Sequence, residues 1–150
     1  MDVLYMREAL GEAKKAYSTC EVPVGAVVVH DKKIIGRGYN QRERQNNPLA
    51  HAELMAIDQA SKYLGRWRLT DCTMYVTLEP CAMCAVALVN SRIDRLVIGA
   101  RDQRMGCAGT VENITNHHKF NHSLDVKFGV LEEECSGILS SFFKELRSRK

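Results

Sequence analysis

His51-Ala52-Glu53 and, after twenty-six intervening residues, Pro80-Cys81-Ala82-Met83-Cys84 are the residues of this chain best suited to chemistry. One imidazole and two thiols make three soft-to-borderline ligands for Zn²⁺. Three protein ligands leave the fourth tetrahedral position open for water, which distinguishes a catalytic zinc from a closed structural one. Two thiolates and a neutral imidazole make the ion formally neutral, so it can hold hydroxide without excess anion. A catalytic zinc brings its water's pKa down to about 7. Glu53 is then free for proton transfer, from the water to a ring nitrogen and on to departing ammonia. Hydroxide attack on an amidine carbon with loss of the amine is hydrolytic deamination.

This chemistry requires particular elements around it. Both halves of the motif should follow a strand and open a helix, because helix N-termini favour thiolate over thiol. Cys81 and Cys84, three residues apart, project from the same side of a first turn. His51 and Glu53 would stand about 200° apart in a regular helix. They share a cavity only if His51 sits at the capping end, where the backbone is not yet helical.

The hydropathy pattern supplies such elements. Residues 2–17 read as a helix with Val3, Met6, Leu10, Ala13 and Tyr17 on one stripe. Val22 to His30 is a valine-rich run typical of a buried strand, and a turn at 31–33 leads into a second strand at 34–39. A polar loop, 40–50, precedes a helix over 52–64. A strand over 69–78 is followed by a helix from Pro80 to Asn90, with Pro80 in the first turn, and by a strand over 93–99. The Gly- and His-bearing segment 100–124 has room for one short helical turn. A strand over 126–130 and a helix over 132–148 close the chain. The order predicts an α/β protein, a three-layer α/β/α sandwich with a central mixed five-stranded sheet and right-handed crossovers. At this length residues 1–150 form one domain.

Composition excludes several classes. The chain is 45% hydrophobic and 26% charged, as in ordinary globular proteins. No apolar run approaches the ~20 residues that span a bilayer, so no membrane partner is expected. The charges among residues 2–15 are wrong for a secretory signal, and a cytoplasmic location follows. In a reducing compartment C-x-x-C favours metal over a structural bridge. Cys20, Cys72, Cys107 and Cys135 read as small buried hydrophobes. The net charge of +3 is too weak to establish nucleic-acid binding, and the arginine clusters at 37–44 and 101–104 read as solvated faces. A closed structural zinc would need a fourth ligand from Cys72, Cys107, His117, His118 or His122, and it would leave Glu53 without a task. The three histidines read as polar loop residues.

The combination H-x-E…P-C-x-x-C is the signature of zinc deaminases that act on nucleobases. Around it stand Glu21-Val22-Pro23-Val24-Gly25-Ala26-Val27, Asn40, Tyr75-Val76-Thr77-Leu78-Glu79, Gly99-Ala100-Arg101-Asp102 and Phe142-Phe143. With these the chain resembles the bacterial tRNA-specific adenosine deaminases of the cytidine deaminase superfamily along nearly its whole length. The resemblance implies a cytidine deaminase-like fold, one Zn²⁺ per subunit on His51, Cys81 and Cys84, and Glu53 as the catalytic proton carrier. It further implies a homodimer that binds a tRNA anticodon stem-loop and converts the wobble adenosine of an arginine tRNA to inosine. Asn40 would then hydrogen-bond the flipped base, backbone groups near Ala52 would touch it, and Glu79 would belong to the pocket. Asp102 and the 101–110 loop would contact flanking nucleotides. Phe142 completes the apolar stripe of the last helix, whereas Phe143 lies off it; Phe143 either packs at the core's edge or stacks on an anticodon base. Gln41, where a basic residue follows the asparagine in the family pattern, and Cys107, often alanine, bear on RNA contacts and not on the chemistry. Two other readings stay open: a deaminase of a free base or nucleotide, and a non-catalytic RNA-binding subunit that keeps zinc for stability.

Overall fold

The valine run that follows Pro23 becomes the strand around which the sheet is organised. In the computed structural model, which describes residues 1–149, β1 (Gly25–His30) pairs antiparallel with β2 (Lys33–Tyr39) on one side and with β3 (Cys72–Leu78) on the other. β3 runs parallel to β4 (Arg95–Ala100), and β4 to β5 (Asp125–Phe128). The order β2-β1-β3-β4-β5 is the mixed five-stranded sheet expected from the sequence. β5, at an edge, alternates exposed and half-buried residues and carries Asp125 and Lys127, charges that discourage pairing with another sheet.

Strand alternation divides the core between two faces. Val27, Val29, Tyr75 and Val97 pack with Tyr5, Met6, Ala9 and Leu10 of α1 (Asp2–Ser18) and with Cys135 and Ile138 of α4 (Glu132–Ser148). Val28, Met74, Val76, Leu96 and Ile98 pack with Ala52, Ala56 and Ala60 of α2 (Ala52–Leu64) and with Leu88 and Val89 of α3 (Ala82–Asn90). Two helices on each face make the three-layer sandwich.

Asp2 fixes the start of α1 to three strands. Its carboxylate accepts both Arg95 Nη atoms, at 2.9 and 2.8 Å, the Tyr75 hydroxyl at 2.8 Å and Lys127 Nζ at 3.0 Å. The Arg95 guanidinium, ahead of the other donors, holds the carboxyl well below the usual carboxylate range.

On the other face, α2 lies on β2 backbone to backbone. A Cβ on Gly36 would come 2.2 Å from the Ala56 carbonyl oxygen, and one on Gly38 2.1 Å from that of Ala52. Ala52, Ala56 and Ala60, four residues apart, therefore form a seam against glycines, and the seam sets where the helix begins.

Several boundaries differ from the sequence expectation. β1 starts at Gly25 rather than Val22, because the Val24 N–H turns back to the Val22 carbonyl at 2.9 Å. β3 starts at Cys72 rather than Leu69, whose N–H donates to the Ser91 carbonyl at 2.7 Å. α3 starts at Ala82; Cys81 caps it with extended backbone, so Pro80 lies outside the helix and not in its first turn. Segment 100–124 holds an Ala108–Asn113 bridge and the one short helical turn expected from the sequence, closed by the Gly106 N–H on the Asp102 carbonyl at 3.1 Å. Cys20 is exposed, against the expectation of burial, whereas Cys72, Cys107 and Cys135 are buried. Cys20 follows the end of α1 at φ 62°, where its N–H closes on the Tyr17 carbonyl at 3.1 Å. Among the described residues no helix is long and apolar enough to cross a membrane.

Candidate active site

The N-termini of α2 and α3 converge, and the side chains that could hold a metal come from their caps and first turns. His51 is the N-cap of α2, with φ −89° and ψ 149°. Cys81 is the N-cap of α3, with φ −72° and ψ 177°. Because His51 precedes the helical backbone, the 200° separation of an ideal helix does not apply, and its ring turns to the same cavity as Glu53. His51 Nδ1 lies 3.8 Å from Cys81 Sγ and 3.5 Å from Cys84 Sγ. A tetrahedral zinc with ordinary bond lengths sets nitrogen and sulfur about 3.6 Å apart, so this donor set fits the ion. The three ligand atoms lie within 4.8 Å of one another, and they form the only such group among the described residues. His117 stacks on His118 at 4.9 Å, and His122 Nε2 meets the Ile93 carbonyl at 2.7 Å.

Proximity redistributes the protons of these groups. The Cys84 thiol donates toward Cys81 and, together with His51, brings the Cys81 thiol down to about 4. Cys84 is correspondingly pushed up, as is His51 by its contact with Cys81. Glu53 is 4% exposed, and burial raises its carboxyl to about 7. A carboxyl in that range can both accept and return a proton near neutral pH.

His51, Glu53 and Cys81 floor a cavity of about 260 Å³, slightly below the roughly 300–1,000 Å³ typical for drug-sized ligands. Val22, Val24, Leu78 and Met105 give it apolar walls, and Asn40, Arg42, Ala52, Glu79 and Asp102 complete the lining. Such a slot suits one flat ring system.

Asn40 is 9% exposed; its Nδ2 donates to the Val22 carbonyl at 3.1 Å and its Oδ1 accepts the Arg42 N–H at 3.1 Å. One amide hydrogen and one lone pair remain for a ligand. Asp102 Oδ1 accepts the N–H groups of Arg104 and Met105 at 3.0 and 3.2 Å. Phe143 does not line the cavity: it is 39% exposed on α4 and meets Phe142 edge-on at 5.5 Å.

Glu79 borders the cavity, yet both of its carboxylate oxygens are engaged by the following loop. They accept the N–H groups of Asp102, Ala108 and Thr110 at 3.1, 3.0 and 3.1 Å and the Thr110 hydroxyl. A second buried carboxylate, which the sequence reading passed over, does similar work on the opposite side. Glu21, 1% exposed, accepts the N–H groups of Glu43 and Arg44 at 3.1 and 2.6 Å. The available signal was a glutamate abutting a buried strand, which must find donors in the fold.

The MafB19-like deaminase family model matches residues 2–147. The tRNA-specific adenosine deaminase of Bacillus subtilis (strain 168) is 54% identical over 149 residues, covering 99% of this chain and 92% of its own. That of Haemophilus influenzae is 48% identical over 150 residues, covering 99% and 87%. A solved structure from biochemical and structural studies of A-to-I editing by tRNA:A34 deaminases at the wobble position of transfer RNA superposes with a TM-score of 0.86. It is 41% identical and covers 90% of this chain and 98% of its own. A guanine deaminase from Nitrosomonas europaea superposes with a TM-score of 0.77 at 22% identity, covering 93% and 83%, a likeness of fold alone. On these grounds the chain belongs to the deaminases and, within them, to the family of the tRNA-specific adenosine deaminases.

Proposed function

We propose that this chain is a zinc-dependent hydrolase that deaminates adenosine to inosine at the wobble position of a tRNA anticodon and releases ammonia. The arginine tRNA, the homodimer and the cytoplasmic location belong to the same reading and rest on the resemblance, as does a single deaminase domain over residues 1–150. The observation that carries the reading is the pairing of a His51–Cys81–Cys84 donor group with a buried carboxylate, Glu53, outside that group.

His51, Cys81 and Cys84 would hold the metal. When bound, Zn²⁺ supplies Lewis acidity that lowers the pKa of a water to about 7. Glu53 takes a proton from the attacking water, passes one to a ring nitrogen, and later protonates the departing amine. A C6–O bond forms, the C6–N bond breaks, and water and adenosine become inosine and ammonia. Val22, Val24, Leu78 and Met105 exclude solvent around the ring. Asn40 offers its remaining amide hydrogen and lone pair to the ring's edge, with the Ala52 backbone beneath. Asp102 serves flanking nucleotides, and Phe143 stacks on an anticodon base beyond the cavity. An anticodon loop suits such an enzyme because its bases are already largely unpaired and cheap to splay out.

Zinc-loaded protein incubated with transcribed arginine tRNA is expected to place inosine at the wobble position and to leave free bases and nucleosides unchanged. Turnover of a free base with no inosine in the tRNA would overturn the assignment in favour of a small-substrate deaminase. Glu53→Ala is expected to keep fold and zinc and to lose at least ~10²–10⁴-fold in turnover, whereas Cys84→Ala should lose metal as well. Unchanged turnover in the first variant, or full zinc content by metal analysis in the second, would contradict the roles given.

A further inference from the structure

We infer that Arg42 is the cation that grips the RNA backbone beside the target nucleotide, and that buried Glu21 is the positioning residue that holds it in place. The inference rests on the reading of the substrate as RNA. A base seated in the cavity carries its ribose and adjoining phosphates to the rim. One side of that rim is the loop 40–50, and Arg42 is the only lysine or arginine among the residues that line the cavity.

Three other arginines are held by carboxylates, and those that are not, Arg44 and Arg104 among them, do not line the cavity. Arg37 pairs with Glu8 and Glu12, Arg95 with Asp2, and Arg149 with Glu145. Among the described residues no carboxylate pairs with Arg42. A planar guanidinium left free at the mouth of an RNA-binding cavity matches a phosphate by two parallel hydrogen bonds.

The backbone that presents this side chain is fixed on every side. The Arg42 N–H donates to Asn40 Oδ1 at 3.1 Å, and its carbonyl accepts the Asn47 N–H at 3.0 Å. The next two N–H groups end on the Glu21 carboxylate. The Gln41 N–H closes the loop on the Ala50 carbonyl at 3.0 Å. Glu21 also adjoins Val22, part of the apolar wall, so one buried group sets both the wall and the cation. A loop ordered before the ligand arrives does not lose its freedom on binding.

The test is binding of an anticodon stem-loop RNA, followed by fluorescence anisotropy with zinc-loaded protein in a Glu53→Ala background, alongside steady-state kinetics of the active enzyme. Arg42→Ala is expected to weaken binding about tenfold and to raise KM by a similar factor with kcat changed less than about twofold. The slope of log affinity against log salt should flatten by about 0.7, the share of one single-strand phosphate contact. Arg42→Lys should recover the slope but only part of the affinity, because it keeps the charge and loses the fork. Glu21→Gln should weaken binding in the same way, and the double variant should lose little beyond either single one.

Arg42→Ala with unchanged affinity and salt slope, or with a loss confined to kcat, would overturn the phosphate contact. Additive losses in the double variant would overturn the positioning role of Glu21. Wild-type protein that deaminates a free base and no RNA would instead overturn the functional reading itself, an outcome distinct from both.

Discussion

Two loops form opposite walls of the cavity, and each is fastened by one buried glutamate, but the fastenings differ. Glu79 gathers N–H groups from three separated points, residues 102, 108 and 110, and so ties its loop to itself as well as to β3. Gly106, Cys107 and Ala108 inside that loop are buried. Glu21 takes two adjacent N–H groups, those of residues 43 and 44, and residues 42–46 stay exposed. The first loop is an extension of the core and gives the cavity its shape. The second is tied to its glutamate at one place, closes otherwise on its own backbone and on Asn40, and offers its side chains outward.

Substitutions at the anchors test that contrast. Glu79→Ala leaves three backbone donors and a hydroxyl without an acceptor and is expected to cost roughly 3–5 kcal/mol, with activity lost as the wall moves. Urea melts read by circular dichroism give the number, and a loss below about 1 kcal/mol would mean that water replaces the carboxylate and the loop is no part of the core. Glu21→Ala strands only two donors beside an exposed loop, so roughly 1.5–3 kcal/mol is expected, with hydrogen exchange of the 43 and 44 amides accelerated. A cost equal to that of Glu79→Ala would abolish the distinction between the walls. Gly106→Ala would bring a Cβ 2.5 Å from the Asp102 carbonyl and from the Glu79 carboxylate. Roughly 1–3 kcal/mol of overpacking strain is expected. Thermal melts of this variant alone and combined with Glu79→Ala should show only part of the strain relieved in the pair, because the Asp102 carbonyl remains in place.

The candidate metal-binding group and the start of α2 were legible in the sequence because both are local patterns. The ligand types and their spacing are written along the chain, and the helical period itself demanded that His51 stand at a cap. The layers followed from apolar runs. What escaped was of another kind. A carboxylate that closes on backbone N–H groups some twenty to thirty residues away leaves no side-chain pattern at the receiving end, since every residue but proline has that donor. Val22 and Val24 have the composition of strand residues, yet they line a wall ahead of β1. Pro80 has the statistics of a first-turn residue, but Cys81 takes the cap and leaves the proline outside. Residue type alone could not tell that Cys20 is exposed while Cys135 is buried.

The seam of alanines against glycines beneath α2 decides where this enzyme has latitude to change. The helix that starts at His51 and carries Glu53 rests on Gly36 and Gly38 of a neighbouring strand, with its own carbonyls and the Met55 Cβ too close to admit a side chain there. Any bulk introduced at residue 36 or 38 would therefore lift the floor of the cavity as one piece. Adaptation to a ring of different outline must come from the mouth, where Val22, Val24 and Met105 can be exchanged one at a time.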